Sequence, residues 1–441
     1  MAKPALPSNV DVPPGGDDTI LRPTGGVGVS KGKAAPEEGP VQLPNEMILG
    51  GQWKIMKKLG EGGCGAVYLV RNTQTAQKAA LKAESLAAEG GSVLKIEVDV
   101  LSKLKGKKHV CEFLGAGRLE KFQYIVMSLL GESLEGLLKL CGELVTCSTL
   151  LRIGIHVLHG LKQIHDCGFV HRDIKPANLA LGRMDGGTDP NIVHILDFGL
   201  SRAFIKPDTN GKMDIRKPRR SALFRGTCRY CSVQAHLKHD QSRVDDLWSL
   251  IYMLAEMRGK LPWEMLSEHK ELAECKAKVP DRELFAECPA KLCEFSTYLK
   301  SLNYYSKPNY AKMYGFLMDG MTDGGHKFSD PWDWQLKNIK EARKATRDRE
   351  AAQTMKTGVR PASGPKPSGP KISLKSLTKG NVRTAKSIAE PKTSRGRKGR
   401  GGGAASVMGE PSGELVEAEK AEPSGVNPFT KDDFSTDPLG L

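Results

Sequence analysis

The residues best suited to chemistry occur in a fixed order along the chain: Gly60-x-Gly62-x-x-Gly65-x-Val67, Lys82, Glu97, His171-Arg172-Asp173-x-Lys175-x-x-Asn178 and Asp197-Phe198-Gly199. Glycines without a Cβ let a backbone turn close on phosphate oxygens and aim N–H groups at them. Lys82 ends an apolar stretch, where an ammonium needs a partner, and Glu97 on a candidate helix can supply one. Asp173 is suited to accept the proton of an attacking hydroxyl, and Lys175 to offset charge on a phosphoryl group in transfer. Asn178 and Asp197 offer the hard oxygen ligands that Mg²⁺ prefers. Together these groups would hold a nucleoside triphosphate and pass its terminal phosphate to a hydroxyl.

Each part has a plainer reading in isolation. A glycine triplet also forms dinucleotide-binding turns, but those lead from a strand into a helix, whereas Ala66-Val67-Tyr68-Leu69-Val70 reads as a second strand. Lys82 alone would be a surface lysine and Glu97 a solvated acid. His171 is expected to be a packed, hydrogen-bonded residue and Phe198 an apolar plug. Asp246, opening an apolar helix, reads as an N-cap, while a resemblance of this motif set to protein kinases implies instead a brace for the 171–178 loop. What outweighs these readings is that all the elements occur in the same chain in the right order.

The elements that must position these residues follow from periodicity. Trp53 to Leu59 and Ala66 to Val70 read as strands joined by the glycine turn, with further strands at Ala79-Ala80-Leu81-Lys82 and Tyr124 to Met127 and a helix over Ser92 to Leu104. After Gly131 the period becomes helical, at Leu134 to Leu138, Leu150 to His165, Val244 to Met257 and on to about Leu317. The expected fold is α+β and bilobal, with a small antiparallel β-sheet lobe carrying one helix and a larger, mainly helical lobe. Residues 46–335 are expected to form this domain, preceded by a disordered segment over 1–45 and followed by a charged helical extension over 336–355. A disordered tail is expected over 356–441.

At 441 residues with a net charge of +15, the chain is long for one domain, and its charge is unevenly spread. Residues 371–400 hold ten Lys or Arg against one acid, Glu390, while 410–441 hold eight acids and two lysines. The basic arm would attract polyanions, but no aromatic residue interleaves it for base stacking. The ten cysteines are irregularly spaced between Cys64 and Cys293, which with no signal peptide points to reduced thiols in the cytoplasm or nucleus. Cys228-x-x-Cys231 has no second pair at zinc spacing. No stretch is apolar enough to span a membrane. Asn427-Pro428-Phe429 matches a common tripeptide that endocytic adaptor modules recognise.

The motif set is that of protein kinases. The segment Phe224-Arg-Gly-Thr-Cys-Arg-Tyr-Cys-Ser-Val-Gln-Ala-His236 resembles the casein kinase 1 superfamily. Ala80-Leu-Lys-Ala-Glu-Ser85, Gly106-Lys-Lys-His-Val-Cys111, Asp245-Asp-Leu-Trp-Ser-Leu250, Leu302 to Tyr310 and Asp330-Pro-Trp-Asp-Trp334 are similar to its tau-tubulin kinase branch. The resemblance covers about 53–334 and implies a monomeric serine/threonine kinase using ATP and Mg²⁺. It implies that Leu59, Gly60, Gly62, Gly65, Val67, Ala80, Lys82, Glu97, Met127 and Leu129 bind the nucleotide, that Asn178 and Asp197 bind the metal, and that Thr227 steadies the catalytic Asp173 and Lys175. Cys64 departs from the family's phenylalanine at the loop tip, a change that weakens phosphate shielding and opens a thiol to oxidation or is a tolerated small residue. Arg225 and Arg229 lie in a basic activation segment expected to favour acidic or phosphate-primed protein substrates, including cytoskeletal ones. The rival expectations are a kinase-fold scaffold and a protein whose main role is polyanion binding through its arm.

Overall fold

A computed structural model describes residues 40–62, 65–86, 93–337 and 426–441. Cys64, the segment 1–39, the proposed helical extension beyond 337, the basic arm 371–400 and the acidic stretch up to 425 lie outside the described residues.

Six antiparallel strands form the first lobe: β1 (Ile48–Leu49), β2 (Trp53–Gly62), β3 (Gly65–Asn72), β4 (Lys78–Ser85), β5 (Phe113–Arg118) and β6 (Phe122–Ser128), in spatial order β1-β2-β3-β4-β6-β5. β3 alternates as a half-buried strand must, with Ala66, Tyr68 and Val70 inward. The short β1 and the β5 strand were not foreseen. Leu43 is buried in this lobe's core, so the ordered domain begins before the expected residue 46. The helix α1 (Leu94–Lys103) turns Leu94, Glu97, Val100 and Leu101 inward.

The second lobe is built on α2 (Leu134–Cys141), α3 (Cys147–Asp166), α4 (Val233–His236), α5 (Arg243–Glu256), α6 (His269–Lys278), α7 (Asp281–Leu284), α8 (Lys291–Lys300) and α9 (Tyr310–Asp323). α3 is buried on nearly all sides, as a helix at the centre of a helical lobe must be. Its start is latched by the Asp330–Trp334 segment: Thr146 N–H donates to Asp333 Oδ2 (2.6 Å), Ser148 Oγ donates to Asp330 Oδ2 (2.7 Å), and buried Arg152 donates to the carbonyls of Asp330 and Pro331 while lying over the Trp332 ring. That accounts for Asp330, Asp333 and Trp332, and Trp334 stacks on Trp332 at 5.1 Å.

Short strands frame the loops between the helices. β7 (Phe169–Val170) precedes the 171–178 loop, β8 (Leu179–Leu181) pairs with β9 (Val193–Ile195), β10 (Arg202–Ala203) pairs with β7, and β11 (Ile205–Pro207) pairs with β12 (Met213–Ile215). The two lobes meet where Gly131 N–H donates to Leu181 O (2.8 Å), and an ion pair between Lys78 and Asp185 (2.9 Å) spans them.

The tail expected to be disordered through 441 is corrected at its end. Residues 426–441 carry a single helical turn, α10 (Asp432–Ser435), with Phe429 and Phe434 buried against the helical lobe. Composition misled here because two phenylalanines in a polar stretch give no periodicity, yet each can fill a socket made elsewhere in the chain. The Asn427-Pro428-Phe429 tripeptide is not presented to solvent through its phenylalanine.

Candidate active site

The glycine hairpin joins β2 to β3, with Gly60 opposite Val67 and Gly62 opposite Gly65. Gly65 has a positive φ of 110°, and a Cβ there would run into the carbonyl oxygen of Ala83, so only glycine fits. Cross-strand pairing places Val67 beside Lys82, and Ala80 beside Met127. Met127 and Leu129 are buried, Ala80 is half-buried, and Leu59 is exposed.

Lys82 Nζ donates to Glu97 Oε2 at 2.7 Å and to Asp197 Oδ1 at 3.0 Å. Burial works against the ammonium, but Glu97 and Asp197 outweigh it and raise the Lys82 pKa. Burial likewise opposes ionisation of Asp197, and Lys82 overcomes it, lowering the carboxyl. This three-membered ion cluster joins β4, α1 and the Asp197-Phe198-Gly199 turn. Asp197 itself adopts a positive φ of 62°.

The 171–178 loop is held from beneath. The buried carboxylate of Asp246 accepts from the backbone N–H of His171 and of Arg172, both at 2.7 Å, and from His165 Nε2 at 2.9 Å. Tyr310 Oη lies 2.6 Å from His165 Nδ1, extending the chain of contacts into α9. Burial opposes ionisation of Asp246, but the bonds from His165 and the loop prevail and hold its carboxyl below the usual range. The N-cap reading of Asp246 is thereby replaced: Ser242 caps α5, with Asp245 completing a capping box. His171 is fully buried, with Nε2 donating to Leu196 O (2.9 Å) and Nδ1 accepting from Asp173 N–H (3.2 Å). Its ring meets Phe198 edge-on, so both residues are packed as expected.

Three donors converge on the Asp173 carboxylate. Thr227 Oγ1 donates to Oδ1 (2.7 Å), while Lys175 Nζ (2.8 Å) and Asn178 Nδ2 (3.1 Å) reach Oδ2. Lys175 Nζ also donates to Thr227 Oγ1 at 3.2 Å. Thr227 can come this close because Gly226 has a φ of 106° and a Cβ there would strike the carbonyl oxygen of Arg172. Asn178 turns its amide nitrogen to Asp173, also donating to its carbonyl oxygen (2.9 Å), so its own oxygen is left for another partner. Asn178 Oδ1 and the Asp197 carboxylate are hard oxygen donors on successive segments, of the kind a divalent cation takes.

The structure thus gathers these residues into two clusters, Lys82 with Glu97 and Asp197, and Asp173 with Lys175, Asn178 and Thr227. Arg229 is met within the chain by two acids, its guanidinium pairing with Glu256 and with Glu264 (3.3 Å) while staying partly exposed. Arg225 is exposed, and its charge acts on Arg172 together with those of Arg202 and Arg219. Burial, then these like charges, push the Arg172 guanidinium down to about 10. Arg219 is paired with Asp240. Sequence reasoning missed Arg172 and Arg202 as members of this cluster, and it missed Gly226, although a glycine directly before Thr227 was a usable signal.

A cavity of about 620 Å³ lies elsewhere, lined in part by Trp248, Tyr252, Asp245 and Lys276. Its charged groups are already engaged, Lys276 Nζ by the carbonyls of Cys228 and Cys231 and Asp245 by Ser232 and Ser242, so it adds nothing to this chemistry.

Comparison with known proteins agrees with this geometry. The profile of the protein kinase domain matches residues 53–305. A Caenorhabditis elegans protein named as a serine/threonine-protein kinase is 45% identical over 289 residues, covering 65% of this chain and 83% of that protein. A Dictyostelium discoideum protein named likewise is 37% identical over 66% of this chain and 57% of its own length, and the serine/threonine-protein kinase spe-6 of Caenorhabditis elegans is 34% identical over 64% and 76%. No helix among the described residues is long and apolar enough to cross a membrane. A kinase domain of this kind uses ATP with a divalent metal and acts on protein substrates, and the chain belongs to the protein kinase family as a protein serine/threonine kinase.

Proposed function

We infer that this kinase belongs to the casein kinase 1 superfamily, nearest its tau-tubulin kinase branch, that it uses Mg²⁺, and that it favours acidic or phosphate-primed protein substrates. The substrate reading is supported above all by the positive charge around Arg172, beside the 171–178 loop, which feels the like charges of Arg202, Arg219 and the exposed Arg225. An anion on the substrate would relieve the mutual repulsion of these guanidinium groups.

In this reading Asp173 accepts the proton of the substrate hydroxyl, and its orientation comes from Thr227, Lys175 and Asn178. Lys175 stands ready to offset charge on the transferring group, and Lys82, fixed by Glu97, addresses the nucleotide phosphates. Mg²⁺, held by Asn178 and Asp197, would neutralise phosphate charge when bound. The glycine hairpin, with Val67, Ala80, Met127 and Leu129 behind it, encloses the nucleotide. The free thiols of the described cysteines support a reducing setting, in cytoplasm or nucleus, and the chain is read as a monomer.

The test is transfer from γ-labelled ATP with Mg²⁺ to matched peptides, one unmodified and one carrying a phosphoserine or an acidic run, with Asp197→Ala as the inactive control. Preference for the charged peptide that falls about tenfold in KM with Arg225→Ala at unchanged kcat supports the reading. Equal kcat/KM for both peptides would remove the substrate preference while leaving the kinase assignment intact.

A further inference from the structure

The C-terminal segment is bound with the detail of a recognised ligand. Asn427 folds an Asx turn over Pro428, its Oδ1 accepting from Phe429 N–H at 3.0 Å, and its Nδ2 donates to Tyr314 Oη at 2.8 Å. Tyr314 Oη returns a hydrogen bond to Phe429 O at 3.3 Å. The Phe429 ring enters a socket of three imidazoles, stacked on His109 (5.6 Å) and edge-on to His156 (5.0 Å) and His159 (5.4 Å). Thr430 and Asp433 then cap one another across α10, which carries Phe434 onto the Tyr314 ring at 4.2 Å and 11°. Lys162 Nζ donates to Thr436 Oγ1 (2.8 Å), Lys307 pairs with Asp437, and Leu439 and Leu441 pack beside Val170, Phe204 and Ile205.

Two further facts give the contact a purpose. The socket shares His156 with Trp332, which precedes the undescribed 338–425 stretch, and Phe429 also meets Phe328 at 6.0 Å, so both ends of that stretch return to one place on α3. The strands beneath the segment are those that lead to the catalytic residues. His109 O accepts from Ile195 N–H (2.8 Å) just before Asp197, and Val170 lies just before His171. No residue of the segment touches the network around Asp173.

We propose that the groove between α3, α9 and the His109 turn is a peptide-docking site for an Asn-Pro-Phe segment followed by a second phenylalanine, and that this chain's own residues 426–441 occupy it in cis. Docking anchors the residues flanking 338–425 at one place on the helical lobe. Because the ligand is tethered, occupancy is intramolecular, and an outside Asn-Pro-Phe peptide or an Asn-Pro-Phe receptor must compete with it. The buried Phe429 cannot serve the groove and an outside receptor at once.

The full chain tests this once a site-specific protease sequence is placed between Gly402 and Gly403. After cleavage at micromolar concentration, the C-terminal fragment is expected to co-elute with the rest of the chain on gel filtration in equal amount. A synthetic peptide of residues 426–441 in excess should release it. Phe429→Ala and Phe434→Ala should each weaken retention by at least about a hundredfold, and the milder Asn427→Ala, which removes the polar contacts to Tyr314, Met318 and Phe429 N–H and no core volume, by about tenfold. Unchanged nucleotide affinity in each variant verifies that the kinase lobes remain folded. Release of the wild-type fragment on cleavage, or full retention in both phenylalanine variants, would overturn the proposal. A doubled mass by light scattering before cleavage, lost in Phe429→Ala, would overturn occupancy in cis in favour of exchange between two copies.

Discussion

Replacing Asp246 by asparagine tests whether the buried carboxylate holds the catalytic loop in place. The side chain is nearly isosteric, so packing is kept, but one of its two oxygens becomes an N–H donor. Asp246 Oδ1 faces the N–H of Arg172, and Oδ2 faces the N–H of His171 and His165 Nε2. His165 can adapt by changing tautomer against Tyr310, but a backbone N–H cannot accept. The least costly placement therefore sets the new amide against Arg172. That loses a charge-assisted hydrogen bond, about 1.5–3 kcal/mol, and strands a buried N–H at about 1–3 kcal/mol more. Arg172 is itself held at a φ of 71°, a conformation that costs about 1–3 kcal/mol in a residue of its size and persists only while its neighbours enforce it. Relaxation there moves Asp173, the next residue. Expected are a fall in Tm of roughly 10 °C, from about 3–5 kcal/mol at a few degrees per kcal/mol, and a fall in kcat of at least about a hundredfold at a temperature well below the new Tm. Scanning calorimetry and steady-state phosphate transfer measure the two. If kcat stays within about twofold of wild type while Tm falls, Asp246 is a stability element and the bracing argument fails.

Thr227→Val removes one hydrogen bond to the Asp173 carboxylate and one from Lys175, and at about 1.5–3 kcal/mol should lower kcat about tenfold to 150-fold with KM for ATP unchanged; recovery in Thr227→Ser is required. Gly65→Ala drives a Cβ into the Ala83 carbonyl at a φ of 110° and should raise KM for ATP about three- to tenfold, read from initial rates, while Asp197 geometry and the pH profile stay fixed. The Phe429 socket makes stability depend on acid. Burial pushes His156 down to about 3 and His159 down to about 4, with Arg152, His194, Lys162, Lys107 and Lys108 opposing protonation and Asp433 favouring it. Their folded pKa values lie below the usual 6.5, so the unfolded chain binds the extra protons. Stability is therefore full above about pH 6.5 and declines as pH falls toward 4, by up to about 1.4 kcal/mol per pH unit for each imidazole. Chemical unfolding between pH 5 and 7 should show this slope, and His159→Leu should reduce it by that imidazole's share; an unchanged slope in that variant would exclude His159 as a source.

The residues proposed to meet phosphate and hydroxyl could be picked out because their spacing is fixed within short segments, the glycine hairpin, the 171–178 loop and the Asp197 turn. Groups whose role depends on distant partners could not. Asp246 was visible as an acid at a helix start with the N-cap and loop-brace readings both open, and the N–H groups it meets, those of His171 and Arg172, decide for the brace. Arg229 was singled out by its place in a basic segment and by resemblance, and neither could show that Glu256 and Glu264 reach it from beyond the segment. The strands β2, β3 and β4 follow from alternation, while β5, Phe-Leu-Gly-Ala-Gly-Arg, has two glycines and little alternation and exists because β6 pairs with it. The docked C-terminal segment is the extreme case, since its sockets are made by residues 109–332 and its own composition is that of an unfolded tail.

The first turn of α5 carries two adjacent buried acids whose different partners give them opposite character, and that difference can be tested with one substitution made at each. Asp245 accepts from Ser232 Oγ (2.5 Å), Ser242 N–H (2.6 Å) and Ser242 Oγ (3.0 Å). Burial raises its pKa, these bonds offset only part of the rise, and the neighbouring Asp246 charge adds to it. Asp246 receives backbone N–H groups and an imidazole and is lowered. Through these two residues one helical turn fixes both the catalytic loop and the end of the activation segment, where Ser232 caps α4. A hydroxyl can reverse its role where a backbone N–H cannot, so in Asp245→Asn the new amide can donate to Ser232 Oγ while the remaining oxygen still accepts from Ser242 N–H. The cost is about 1 kcal/mol, the rearrangement of one hydrogen bond. Asp245→Asn should therefore leave kcat within about threefold and lower Tm by a few degrees at most, against the far larger losses of Asp246→Asn. Equal damage from the two substitutions in parallel calorimetry and phosphate-transfer assays would mean that buried charge in this turn, and not the identity of the donors it meets, governs the catalytic loop.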